Sequence, residues 1–521
     1  TPTPTPQPLT FAVYFHPDGN LYVGDRISLE VVAPPAMQHQ TVRLQFEGQT
    51  LGEGTIEPSG IGGRSQATFP WVWDTAGLEA GAHTLNISLP QRGLAWEESV
   101  TLMPREALPR EEKESAWLTA ESTCCVFYLL SHSAAERDID TILATADAQL
   151  EQARQALPVT PSAPIPITLM ARVLGQGGFA SDELFLSYLD RNYAGGDFAI
   201  LLRHEMIHRL DNAAGGDYRP PILAEGLAVY LSGGHYKPEA LTPRAAALLS
   251  LAAEQPDYPW FYPLDTLANE FYLLQHEIGY IQAGALVEFM VNRWGWEAFE
   301  AFYRSLPQPG EGDTPASVLN AALQARFGLS LSQLEHRFRQ ALEAQIPSAG
   351  VVQDVRLTVA YYETMRRYQQ RYDPSAYFLH AWLPDVQTMR AENIVADLWR
   401  HPQQVTNLVL ESLLLSADRA LRRGDRDEAE HLLNVVKVTL TAAENQAFDP
   451  LASHPLSARM ARAIHSLKTR GYSPEYLLIE GETLQAAVRV AQNELMFLEL
   501  QENEAGFTLQ PVLQTAPPNT Q

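Results

Sequence analysis

Alternation of apolar and polar positions dominates the first hundred residues. Residues 11–15, 24–31 and 41–46 alternate as strands do when one face meets a core and the other meets water. Residues 71–75 and 77–89 continue the series, with Gly, Asp and Pro between the runs as turn formers, so an all-β sandwich is expected over 9–103. After a charged, Pro-containing connector at 104–120 the period changes. Residues 125–130 and 166–171 read as strands around a helix at 133–156, and 183–188 as the edge of their sheet. From 197 onward apolar residues recur at helical spacing, predicting helices over 197–212, 221–232, 239–254, 278–292, 296–306, 315–327 and 331–345. The same period runs through 357–371, 386–399, 404–423 and 427–441. Alternation then returns in four short runs, 476–479, 484–490, 495–500 and 507–512, which predict a small antiparallel meander.

These changes of period divide the chain into a Thr/Pro-rich linker at 1–8, a β-sandwich at 9–103, a connector at 104–120, an α+β domain at 121–346, and a helical domain carrying the β meander at 352–515. The length of 521 residues and the 45% hydrophobic content suffice for several cores. A net charge of −25 argues against a nucleic-acid partner and against an anionic membrane surface. The two cysteines, Cys124 and Cys125, are adjacent, which excludes a disulfide framework and favours two buried thiols in a strand over a vicinal bond. No apolar run reaches transmembrane length, and the Pro-rich start reads as an extended spacer, so the chain is expected to be secreted or held at a cell surface. Its export signal would lie outside these residues, with no membrane insertion of its own and room for a tether upstream of residue 1.

The predicted helix at 197–212 carries Arg203-His204-Glu205-Met206-Ile207-His208. Positions four apart share a helix face, so His204 and His208 can offer two imidazoles to one metal, and Glu205 can face the same cleft as a base on a water there. On the next predicted helix, opened by Pro220 and Pro221, Glu225 is the candidate third ligand. Three protein ligands and one open position are what a catalytic zinc requires.

The stretch Leu223-Ala224-Glu225-Gly226-Leu227-Ala228-Val229-Tyr230, with the His-Glu-x-x-His before it, resembles the gluzincin metallopeptidases, the superfamily of thermolysin and the aminopeptidase N family. The resemblance spans roughly residues 120–346. It implies one zinc per chain on His204, His208 and Glu225, with Glu205 as general base in hydrolysis of a peptide or protein substrate. It further implies a phenol or imidazole opposite the metal. Tyr280 is the first candidate, with His276, Tyr230, Tyr272 and His235 as competitors. Small residues at Gly279, Ala283, Gly284 and Ala285 are expected to bring that helix close to the histidine helix. In such peptidases the strand before the metal helix holds extended substrate, which puts Phe179 and the run to Tyr188 beside the substrate, together with His276. The aminopeptidase Gly-x-Met-Glu-Asn stretch is absent upstream of His204, which leans the expectation toward an endopeptidase or a specialised peptide substrate. Residues 77–89 resemble the closing strands of bacterial immunoglobulin-like modules, implying an Ig-like sandwich; such a domain could bind a surface or glycan, and a spacer between enzyme and cell is the favoured expectation. The alternative is a catalytically inactive binding or scaffold protein that keeps a peptidase-like domain, and the intact set of four groups weighs against it.

Overall fold

A computed structural model describes residues 10–59, 64–159, 161–376, 385–481, 483–490, 494–504 and 506–512; the Thr/Pro-rich run at 1–8 lies outside them. The protein is multidomain and mixed α/β, with four sheets and many helices. The chain forms two compact units: Thr1–Trp117 with Leu130–His132 and Gln369–Pro402, and Leu118–Leu129 with Ser133–Tyr368 and Gln403–Gln521.

The first unit is built on β1 (Ala12–His16), β2 (Leu21–Tyr22), β3 (Arg26–Val32), β4 (Thr41–Phe46), β5 (Gln49–Thr55), β6 (Glu57–Ser59), β7 (Arg64–Asp74), β8 (Gly81–Leu89) and β9 (Leu94–Met103). They make two sheets, ordered β1-β3-β7-β6 and β2-β9-β8-β4-β5. Period-2 alternation sends Ile27, Leu29, Val31, Phe69 and Trp73 of one sheet against Val42, Leu44, Leu85, Ile87 and Val100 of the other, in one shared core. The segment from Gln369 to Pro402 belongs to this unit, although its helical period reads as part of the C-terminal region. Arg400 ties it there, donating to Asp25 and Glu112 at 2.8 Å each. The single helix expected over 386–399 is two short ones, Val386–Ala391 and Ala396–Trp399, because Asn393 turns the chain in the left-handed region (φ 52).

In the second unit a sheet runs in the order β10 (Trp117–Glu121), β11 (Cys125–Leu130), β12 (Ile165–Met170), β14 (Leu184–Ser187), β13 (Gly178–Ala180). Strands β11, β12 and β14 are parallel, and β13 folds back antiparallel onto β14. The sheet's end is therefore one strand further out than the run at 183–188, because the chain already enters at the edge before reversing. Cys124 and Cys125 are joined as a vicinal disulfide, not left as two thiols: the chain bends at Cys124 before β11 begins, which turns the two side chains toward each other.

The helix Ile139–Ala156 and the histidine helix, Phe198–Ala213, cover this sheet in a common core of Phe127, Ile142, Ala146, Ile167, Leu186, Leu202 and Met206. A second core gathers the glutamate helix, Pro221–Ser232, the tyrosine helix, His276–Trp294, and the helices at Leu241–Glu254, Trp296–Arg304, Pro315–Phe327 and Leu331–Glu343. Gly284 and the Ala283 carbonyl of the tyrosine helix meet the glutamate helix, not the histidine helix, while Gly279 faces Leu267 and Phe271. A Cβ on Gly226 would lie 2.6 Å from the Ala283 carbonyl oxygen, and one on Gly284 would lie 2.5 Å from Val229. The chain closes with the meander, ordered β15 (Ser473–Glu480), β16 (Thr483–Arg489), β17 (Leu495–Asn503), β18 (Gly506–Val512), every neighbour antiparallel.

Candidate metal centre

The histidine helix starts where Asp197 accepts a hydrogen bond from the Ile200 amide at 3.0 Å, satisfying a donor of the first turn. Its apolar side is buried on the sheet through Leu202, Met206 and Leu210, which turns His204 and His208 toward the glutamate helix. There the Nε2 atoms of His204 and His208 are 3.1 Å apart, and Glu225 Oε2 lies 3.1 Å from the first and 3.2 Å from the second. The set is mostly enclosed, with His204, Glu205 and Glu225 buried and His208 half-buried. These three side chains could hold one metal ion between them. The donor set itself fits a cation: two imidazole nitrogens and a carboxylate oxygen meet at one point, where a positive charge satisfies all three at once.

The electrostatics show the same convergence. Burial lowers His204 to about 4, against the pull of Glu225. At His208 burial also disfavours the charge, yet Glu225, aided by Glu205 and Asp211, raises it to about 9. Burial works upward on Glu225, but the two imidazoles hold it well below the ordinary carboxylate range. Burial raises Glu205 to about 7, against the pull of His208 and with a push from Glu225.

Tyr280 and His276 stand on the first turns of the tyrosine helix. The Tyr280 ring lies 6.0 Å from the His204 ring and packs against both His235 at 4.4 Å and His276 at 4.3 Å, which themselves lie 4.9 Å apart. Its burial, then the charges of Glu225 and Glu205, push its phenol well above the usual tyrosine value. His276 touches Tyr280 and Tyr362 and stands further back, with burial holding it well below the usual imidazole value. Phe179 lies on β13, stacked on Phe185 at 4.9 Å. That strand passes along the histidine helix: a Cβ on Gly178 would be 3.3 Å from Leu201, and Arg209 donates to the Ser181 carbonyl at 2.8 Å.

Two neighbours stand out that spacing alone ranks no higher than competitors. Tyr272 donates its hydroxyl to Glu225 Oε1 at 2.6 Å. His235 sets its Nδ1 2.6 Å from Glu277 Oε2 and its ring face against Tyr280. Neither has a motif to announce it, since both come from loops that only packing brings to the centre. No family model, curated protein or solved structure matches the chain.

Proposed function

We propose that the chain is a zinc-dependent peptidase of gluzincin type, acting on extracellular proteins or peptides, with the first unit's sandwich as an Ig-like spacer. The observation that carries this reading is the triangle of His204 Nε2, His208 Nε2 and Glu225 Oε2, with edges of 3.1–3.2 Å. Ligands about 2.0–2.1 Å from a tetrahedral zinc are separated by roughly 3.3 Å, so a small expansion of the set suffices. Two imidazoles and one carboxylate leave a coordination position open, which suits catalysis, and the absence of thiolate among them disfavours soft metals. When bound, zinc would polarise the scissile carbonyl and acidify the attacking water.

The chain's own groups divide the remaining work. Glu205 takes the water's proton and delivers it to the leaving amine, a task suited to a buried carboxyl. Tyr280 offers its hydroxyl hydrogen to the oxygen that becomes negative, with His276 and His235 packed behind its ring. Among the described residues β13 ends its sheet, so an extended peptide can pair with its outer edge beside Phe179 and continue past the histidine helix. Among the same residues no helix is long and apolar enough to cross a membrane.

The test is to strip the protein of metal, reload it with zinc, and follow digestion of casein and of a peptide library by mass spectrometry. About one zinc per chain and cleavage that a chelator abolishes are expected. Full zinc loading with no cleavage of any peptide would leave the scaffold reading in its place.

A further inference from the structure

We infer that Tyr272 is a positioning residue for the metal, holding Glu225 so that a single carboxylate oxygen faces the two histidines. The inference rests on the metal-centre reading above. The two oxygens of Glu225 have separate partners. Oε2 lies 3.1 and 3.2 Å from the imidazole nitrogens, while Oε1 accepts the Tyr272 hydroxyl at 2.6 Å. A glutamate's terminal torsion is broad and two-fold, so an unrestrained carboxylate would swing or chelate with both oxygens. A short bond from a neutral donor to a charged acceptor removes that freedom.

The phenol is itself held firmly. Tyr272 sits in the 3-10 turn Phe271–Leu273, between a buried Phe271 and the start of the tyrosine helix. Phe271 packs edge-on against the Tyr272 ring, with centroids 5.3 Å apart, and also meets Tyr280 at 5.1 Å. Just beyond the turn, the Gln275 amide donates to Tyr262 at 3.1 Å, and the Gln275 side chain caps the tyrosine helix through the Ile278 amide at 2.8 Å. One turn thus positions both the phenol on Glu225 and the helix that carries Tyr280. Tyr272 is 49% exposed and the neighbouring Leu273 65% exposed, so this residue reaches from solvent inward to the third ligand.

The experiment measures zinc affinity of the metal-free full chain by competition with a chromogenic chelator, for the parent, Tyr272→Phe and Leu273→Ala. Tyr272→Phe keeps the ring and removes only the hydroxyl. Its zinc affinity should fall about 10–100-fold, the usual cost of losing an outer-shell partner, with the metal-free melting temperature unchanged. Leu273→Ala should bind zinc as the parent does. At saturating zinc Tyr272→Phe should recover most of its peptidase activity, because the defect is in holding the ion. Equal affinity in Tyr272→Phe and the parent would overturn the inference while leaving the metal centre intact. So would an equal loss in Leu273→Ala, which would assign the effect to the turn, or activity that stays lost with the site full, which would assign Tyr272 to the substrate. A parent that binds no zinc, or a His204→Ala variant that binds it as tightly as the parent, would overturn the metal-centre reading and this inference with it.

Discussion

Two of the buried polar clusters among the described residues of the second unit solve the same problem in opposite ways. One gathers His204, His208, Glu205 and Glu225. The other gathers Arg244, Lys237, Glu239, Glu277 and Asp354. There Arg244 lies 3.0 Å from Glu239, 3.1 Å from Glu277 and 2.5 Å from Asp354, and Lys237 adds 2.8 Å to Asp354. The second cluster carries its own permanent cations. Burial pushes Glu277 upward, but His235 and Arg244 outweigh it and keep the group below the ordinary carboxylate range. The first cluster has no Arg or Lys among its members and draws positive charge only from imidazoles. A buried acid without a permanent cation either takes a proton or recruits an ion. The difference separates a cluster that carries its own cations from one that, on the function proposed above, receives an ion. His235 stands between them, bonded to Glu277 on one side and with its ring 6.3 Å from that of His204 on the other.

The contrast can be broken in order of effect. Replacing His208 by Ala should abolish measurable zinc binding and hydrolysis, leaving the metal-free fold intact by circular dichroism; retained stoichiometric zinc would remove the site. Arg244→Met should leave three buried acids short of a partner and cost about 3–5 kcal/mol of stability in urea denaturation of the metal-free protein. A loss as large in His208→Ala under the same conditions would erase the distinction between the clusters. Glu205→Gln should keep zinc and lose at least ~10²-fold in hydrolysis, so undiminished turnover would pass the proton to another group. Tyr280→Phe should lower kcat by ~10²–10³ with zinc affinity unchanged; if kcat holds, His235 or His276 inherits the oxyanion role. The smallest test is acidity. Both imidazoles bind as neutral donors, so zinc affinity should weaken as pH falls, whereas a pH-independent affinity would exclude the histidines as ligands.

Much of the secondary structure is written locally. The helix at Pro315–Phe327 and all four strands of the meander fall on the runs where apolar period predicts them, because each element buries one face and its pattern must match its own repeat. The breaks between elements leave no mark in the apolar period. Asn393 divides a run of unbroken helical period, and Asp138 separates Ala134–Arg137 from Ile139–Ala156 within what reads as one helix. The bend at Cys124 that sets its sulfur against that of Cys125 has no periodic signature at all.

By itself the sequence determined the ligand candidates, because two histidines four apart on a helix share a face whatever surrounds them, and Glu225 sits in a recognisable context on the next helix. Only the tertiary structure decided which atoms meet. It turned Glu225 Oε2 to the histidines and Oε1 to Tyr272, packed Tyr280 against both His235 and His276, and added β13 outside β14 at the sheet's end. It also set Gly284 of the tyrosine helix against the glutamate helix, where it and Gly226 of the latter let the two backbones close. The physical reason is range. Periodicity and motif report contacts within a few turns of chain, while the partner of a phenol 47 residues away depends on how whole helices pack.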